Sequence, residues 1–164
     1  MTIMPFFAIR PRGRRGEVRV TRGKAFEAAH AYRDPSFGRA TRVHGHNYVL
    51  TATIAGPIDA STDFLVDFRD LDGLLREITA PLDHHRLDVE YAPLAGREAS
   101  TETLAATLFA ELAPRVATAI PSARLDAVRL AENDTLWADT GGGADVEVTR
   151  AYGFSAAHRL ADPS

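Results

Sequence analysis

The 164-residue chain has no cysteine. That absence excludes disulfides, thiolate metal sites, iron–sulfur clusters and a cysteine nucleophile. Its apolar runs fall far short of the ~18 residues a membrane-spanning helix needs, so no membrane partner is expected. An excess of one charge is missing as well: 19 Lys and Arg against 22 Asp and Glu leave a formal −3 at pH 7. Nothing in that balance invites a nucleic-acid backbone. No secretory signal is expected either, because in MTIMPFFAIRPRGRRGE the basic residues Arg12, Arg14 and Arg15 follow the short apolar piece instead of preceding it. Residues 1–16 are therefore read as an N-terminal arm, and a cytoplasmic protein is the expectation. What remains is 45% hydrophobic and 25% charged residues, the composition of one globular domain of ordinary size.

Periodicity orders the rest. VRVTRGKAFEAAH, ending at His30, alternates as a strand does, and AYRDPSFGRATR reads as a loop. In HGHNYVLTATIAG, residues Tyr48, Leu50, Ala52 and Ile54 share one face of a second strand. Helical steps follow. Phe68, Leu71, Leu74, Leu75 and Ile78 form one stripe behind Asp67 as a cap, and Leu104, Leu108 and Leu112 form another behind Ser100 or Thr101. A loop over 81–99, rich in His, Asp and Pro, separates the helices. Residues 124–132 and 135–139 predict two further strands around an Asn133-Asp134 turn. Strands and helices grouped this way indicate an α+β fold, helices on one face of an antiparallel sheet.

Residues 146–164, VEVTRAYGFSAAHRLADPS, repeat residues 18–36, VRVTRGKAFEAAHAYRDPS, with eleven of nineteen positions identical at a constant offset of 128. The tail from 141 is read as a glycine linker plus the opening strand of a second, incomplete copy of the unit over 17–140. Either the chain is a fragment of a tandem protein, or its last strand is used alone to extend a sheet.

Chemistry concentrates in the histidines. His44-Gly45-His46 opens a strand, where alternate side chains share a face, and His30 closes the strand before it. Three imidazoles without a fourth protein ligand is the arrangement of a catalytic zinc with an open position. Asp83-His84-His85 forms a second cluster, in which a carboxylate beside His84 can orient the ring as a proton carrier. His85 is read as a neighbour. Glu132, at the end of a candidate strand, could accept paired N–H donors from a guanidine-like ring edge.

FEAAH, FGRATRVHGHNY, VDF, PLDHHRLD, STETLA and AEND, in that order over roughly residues 18–139, resemble the 6-pyruvoyl- and 6-carboxy-tetrahydropterin synthase family. The resemblance implies a tunnelling fold, a four-stranded antiparallel sheet with two helices on one side, assembled as homo-oligomeric trimers or hexamers around a barrel. It implies zinc on His30, His44 and His46, proton transfer by Asp83 and His84, and a pterin held by Glu132 with Ser100, Thr101 and Glu102 lining its pocket. The implied reaction is triphosphate elimination with side-chain rearrangement of 7,8-dihydroneopterin triphosphate.

One departure stands out. The family's cysteine base aligns with Ala40, and the flanking Arg39, Thr41, Arg42 and Val43 include no glutamate to replace it. Three readings stay open: an engineered replacement of that cysteine; a divergent enzyme in which His84 or a zinc-bound hydroxide moves the proton; or a non-catalytic pterin- and zinc-binding module, such as the inactive half of a tandem synthase. His158, the repeat of His30, is expected to hold no metal, because no His-Gly-His follows it.

Overall fold

The computed structural model describes residues 16–143 and 145–157; all of the 1–16 arm but Gly16, and His158, lie outside that set. Strand β1 (Val18–His30) and strand β2 (His44–Gly56) form a long antiparallel hairpin in unbroken register from Val18 opposite Gly56 to His30 opposite His44. The connecting residues fold into a 3-10 turn over Pro35–Thr41, capped by the Asp34 carboxylate. Helix α1 (Phe68–Thr79) follows, its first turn capped by Asp67, which accepts from Arg69 N. Strand β3 is only His85–Arg86, and the short helix α2 spans Leu87–Glu90. Helix α3 (Thr101–Ala119) begins at Ser100, whose side chain accepts from Thr103 N. Strands β4 (Arg124–Asn133), β5 (Leu136–Thr140) and β6 (Val146–Arg150) complete the chain.

The strands form one sheet in the order β3-β1-β2-β4-β5-β6. The four expected strands are its centre, and every pairing among them is antiparallel. The sheet nevertheless has six strands and is mixed, which corrects the expectation of four antiparallel ones. β3 joins the outer edge of β1 in parallel over two residues, Ala28 opposite His85 and Ala29 opposite Arg86. A pairing that short leaves no alternation to read in the sequence. β6, from the repeated tail, adds antiparallel to β5.

The core lies between the sheet and the helices. Tyr48, Leu50, Ala52 and Ile54 are buried on one face of β2, as alternation requires, against Leu71, Leu75 and Ile78 of α1 and Leu104, Leu108 and Leu112 of α3. Each large side chain buried this way contributes roughly 1.5–3 kcal/mol. Phe68, placed in the α1 stripe from its spacing, is instead 54% exposed, with the Arg22 guanidinium 5.1 Å above its ring. It is the first residue of the helix, and its covering partner is that charged side chain of β1 instead of the apolar core. Gly56 ends β2 where a β-carbon would come within 2.5 Å of the Ser122 carbonyl oxygen, so only glycine lets the two chains approach.

Candidate metal centre and its surroundings

The long hairpin register builds the centre. Because His30 pairs with His44 and Ala28 with His46, all three histidines project from one sheet face, at the end of the hairpin that the 31–43 connection closes. Their ligand-capable nitrogens lie within 4.8 Å of one another. The Nδ1–H of His30 donates to the Ala99 carbonyl (2.6 Å), and that of His44 to the Arg42 carbonyl (2.8 Å). A carbonyl can only accept, so both rings carry their proton on Nδ1 and turn a bare Nε2 outward. Outer carbonyls that fix the tautomer in this way are a regular feature of metal-ligating histidines. His46 Nε2 sits 3.2 Å from His30 Nε2. Tetrahedral zinc–nitrogen bonds of about 2.0–2.1 Å require neighbouring ligand nitrogens about 3.3 Å apart, so the donor set fits zinc. Burial lowers the pKa of His30 and of His46, with the neighbouring imidazoles adding to it, which favours the neutral, ligating ring near pH 7.

Glu132 and Thr101 stand beside the cluster. Glu132 is 7% exposed; its Oε2 accepts from the Thr101 hydroxyl at 2.5 Å and its Oε1 lies 3.3 Å from His46 Nε2. The carboxylate from β4, the hydroxyl from the first residue of α3 and the imidazole from β2 thus meet in one buried polar pocket. Ser100 is used as the α3 cap, and Glu102 is exposed in the first turn.

The 31–43 segment folds over the same end. Tyr32 N donates to the Ala40 carbonyl (3.0 Å), and the Tyr32 ring packs edge-on to His30 and against Phe37. Burial and the Glu132, Glu102 and Glu98 carboxylates push the Tyr32 hydroxyl up to about 12. Sequence reasoning passed over Tyr32 because an aromatic residue in a polar loop has no periodicity to mark it. The carbonyls of Ala99 and Arg42 carry no side-chain signal at all. Ala40 lies on the 3-10 turn, and no side chain there can take a proton.

Asp83 and His84 are elsewhere. His84 N donates to the Glu27 carbonyl (2.6 Å), Glu27 N donates to Asp83 Oδ1 (2.9 Å), and His84 Nδ1 lies 3.1 Å from that same carboxylate. The hydrogen bond from Glu27 N is the main cause of a lowered Asp83 pKa. The pair clings to the outer edge of β1, and the His84 side chain is 74% exposed. His84 also adopts φ 62, a left-handed conformation that costs a residue with a β-carbon about 1–2 kcal/mol. Among the described residues no hydrogen bond, ion pair or ring contact joins His84 to the three clustered histidines. A groove of about 410 Å³, lined by Glu27, His46, Asn47, His84 and Arg86 among others, runs between them. His85 is exposed, its Nδ1–H donating to the Asp83 carbonyl.

Comparison with known proteins follows the same lines. The sequence model of the 6-pyruvoyl tetrahydropterin synthase family matches residues 19–142. The chain belongs to that family. The 6-pyruvoyl tetrahydrobiopterin synthase of Pongo abelii is 31% identical over 134 aligned residues, covering 74% of this chain and 90% of the relative. A protein of Archaeoglobus fulgidus assigned to 6-carboxy-5,6,7,8-tetrahydropterin synthase is 29% identical over 115 residues, covering 70% of this chain and 88% of its own length. The Caenorhabditis elegans 6-pyruvoyl tetrahydropterin synthase structure superposes with a TM-score of 0.63 at 21% identity, over 83% of this chain and 96% of that one. That likeness shows a shared α+β synthase fold.

Proposed function

We propose that the chain is a zinc-dependent lyase of the tetrahydropterin synthase type that acts on 7,8-dihydroneopterin triphosphate as a trimer or hexamer. The observation that carries the reading is the half-buried His30–His44–His46 cluster with two tautomers already fixed, in a chain of this family. When bound, zinc would supply Lewis-acid polarisation of the substrate's side-chain hydroxyls, making neighbouring carbon-bound protons more acidic. The remaining work falls to side chains. Glu132, held by Thr101, orients the pterin by accepting its amino-pyrimidine N–H groups, a charge-assisted anchor strengthened by burial. Glu102, with Ser100 and Thr101, lines the pocket at the start of α3. His84 carries a proton on its ring while Asp83 fixes the Nδ1 side.

Ala40 weakens this chemistry. A methyl group cannot remove a proton, and loss of a general base commonly costs 10²–10⁴-fold, roughly. The same observation favours the second reading, a pterin- and zinc-binding module without turnover. Zinc content measured alongside triphosphate release from 7,8-dihydroneopterin triphosphate, on the parent and on Ala40→Cys, separates the two. The expected result is one zinc per chain in both and release faster by about 10²–10⁴-fold in Ala40→Cys. Equal turnover would move the proton transfer to His84; zinc and pterin binding with no release from either would favour the binding module.

A further inference from the structure

Three consecutive backbone N–H groups fasten the start of the loop that folds over the metal centre. Ala31 N donates to Asp88 Oδ1 (3.3 Å), Tyr32 N to the Ala40 carbonyl (3.0 Å) and Arg33 N to Glu98 Oε1 and Oε2 (3.3 and 3.2 Å). The partners come from α2, from the 3-10 turn and from the segment that leads into α3, so Tyr32 is pinned from three sides. Its ring is placed as well. The centroid lies 5.0 Å from that of His30, 6.3 Å from that of His44 and 4.6 Å from that of Phe37.

The hydroxyl of this ring is unspent. The residue is half-buried, yet among the described residues its phenol oxygen makes no hydrogen bond. Burial, together with the Glu132, Glu102 and Glu98 carboxylates, keeps the phenol protonated through the neutral range. In that state it offers a donor and does not supply the base that Ala40 lacks. The repeat isolates the same atom. The tail matches residues 18–36 at eleven of nineteen positions, yet where the first copy has Tyr32 the tail has Leu160. A leucine would fill apolar space beside His30 and Phe37 without a hydroxyl, so the hydroxyl is what the first copy adds.

We propose that Tyr32 is a catalytic residue, its hydroxyl donating to the substrate side-chain oxygen on which negative charge develops as the neighbouring carbon-bound proton leaves. This deepens the lyase reading above and rests on it. A substrate with its pterin edge on Glu132 and its side-chain hydroxyls at the three histidines passes Tyr32, whose ring touches His30 and whose hydroxyl lies within electrostatic reach of Glu132. The proton stays on the phenol oxygen throughout. The hydrogen bond strengthens as its acceptor gains charge, so it lowers the barrier more than it tightens the substrate. The three anchored N–H groups hold the donor in place beforehand, which spares reorganisation during the reaction.

Tyr32→Phe in the full chain removes the hydroxyl and keeps the ring. It is compared with the parent, and the same pair is compared again with Ala40→Cys added to both. Triphosphate release from 7,8-dihydroneopterin triphosphate gives kcat and KM, and competition with a chromophoric chelator gives zinc affinity. The expected result is a kcat lower by about 10²-fold in whichever background turns over, with KM within about threefold and zinc affinity unchanged. A kcat within about twofold of its reference would overturn the proposal and leave the lyase reading standing. A raised KM at unchanged kcat would overturn it as well, because it marks binding that substrate and transition state share equally. Weakened zinc affinity would show that Tyr32 only props His30, and would overturn it too. Zinc-loaded chains that release no triphosphate in any form would overturn the lyase reading and the proposal together.

Discussion

The two histidine clusters differ in how they are held. His30, His44 and His46 are placed by a hairpin register that runs without a break for 13 residues on each strand, and carbonyls fix two of the rings. Asp83 and His84 hang on the rim of β1 by two hydrogen bonds to Glu27, largely in solvent, with His84 in a left-handed conformation. One cluster is a half-buried donor set held by backbone carbonyls; the other is an exposed pair whose strain the loop must sustain. Preorganisation suits a metal, and exposure suits a group that exchanges protons.

That contrast can be broken most severely at the buried end. His30→Ala removes a proposed ligand and takes the donor from the Ala99 carbonyl; zinc affinity should fall by well over 100-fold in a competition titration with a chromophoric chelator. Next comes the carboxylate pocket. Thr101→Val leaves Glu132 without its 2.5 Å donor, and hydrogen bonds to charged groups are worth about 1.5–3 kcal/mol, so urea denaturation should show a loss of that size. Acid should weaken the same end. The folded-state pKa values of His30 and His46 are lowered below the unfolded value near 6.5, so the unfolded chain binds protons first. Stability of the metal-free chain should be unaffected above that value and fall as pH drops from it towards the folded-state values, read as a decline in Tm that His46→Gln reduces. The smallest effect belongs to the rim: His84→Gln, at an exposed position, should alter stability by no more than about 0.5 kcal/mol while lowering any triphosphate release.

Legibility in the sequence followed the same division. The alternation of β1 and β2, the Asp67 and Ser100 caps and the Asn133-Asp134 turn marked the central strands and both long helices, because each rests on a local pattern. The approach of His30 to His44 and His46 followed from treating two alternating segments as a hairpin. Glu132 beside Thr101 was legible only through the family resemblance, since nothing local brings a β4 carboxylate to the first turn of α3. β3 and α2 escaped because they exist through docking: Asp83 binds Glu27, and Asp88 both accepts from Ala31 N and pairs with Arg86. Phe68 was misplaced because spacing assigns a helix face but not which of its residues the core covers. The repeat announced a strand at 146–150, and its seat on β5 was one of two uses left open for it.

Zinc titration of the chain by calorimetry, with His46→Ala and His84→Gln in parallel, bears most directly on the metal centre. One equivalent per chain, abolished by His46→Ala and retained by His84→Gln, is the predicted result. No binding by the parent, or binding that survives His46→Ala, would contradict a metal centre built on the β1–β2 hairpin.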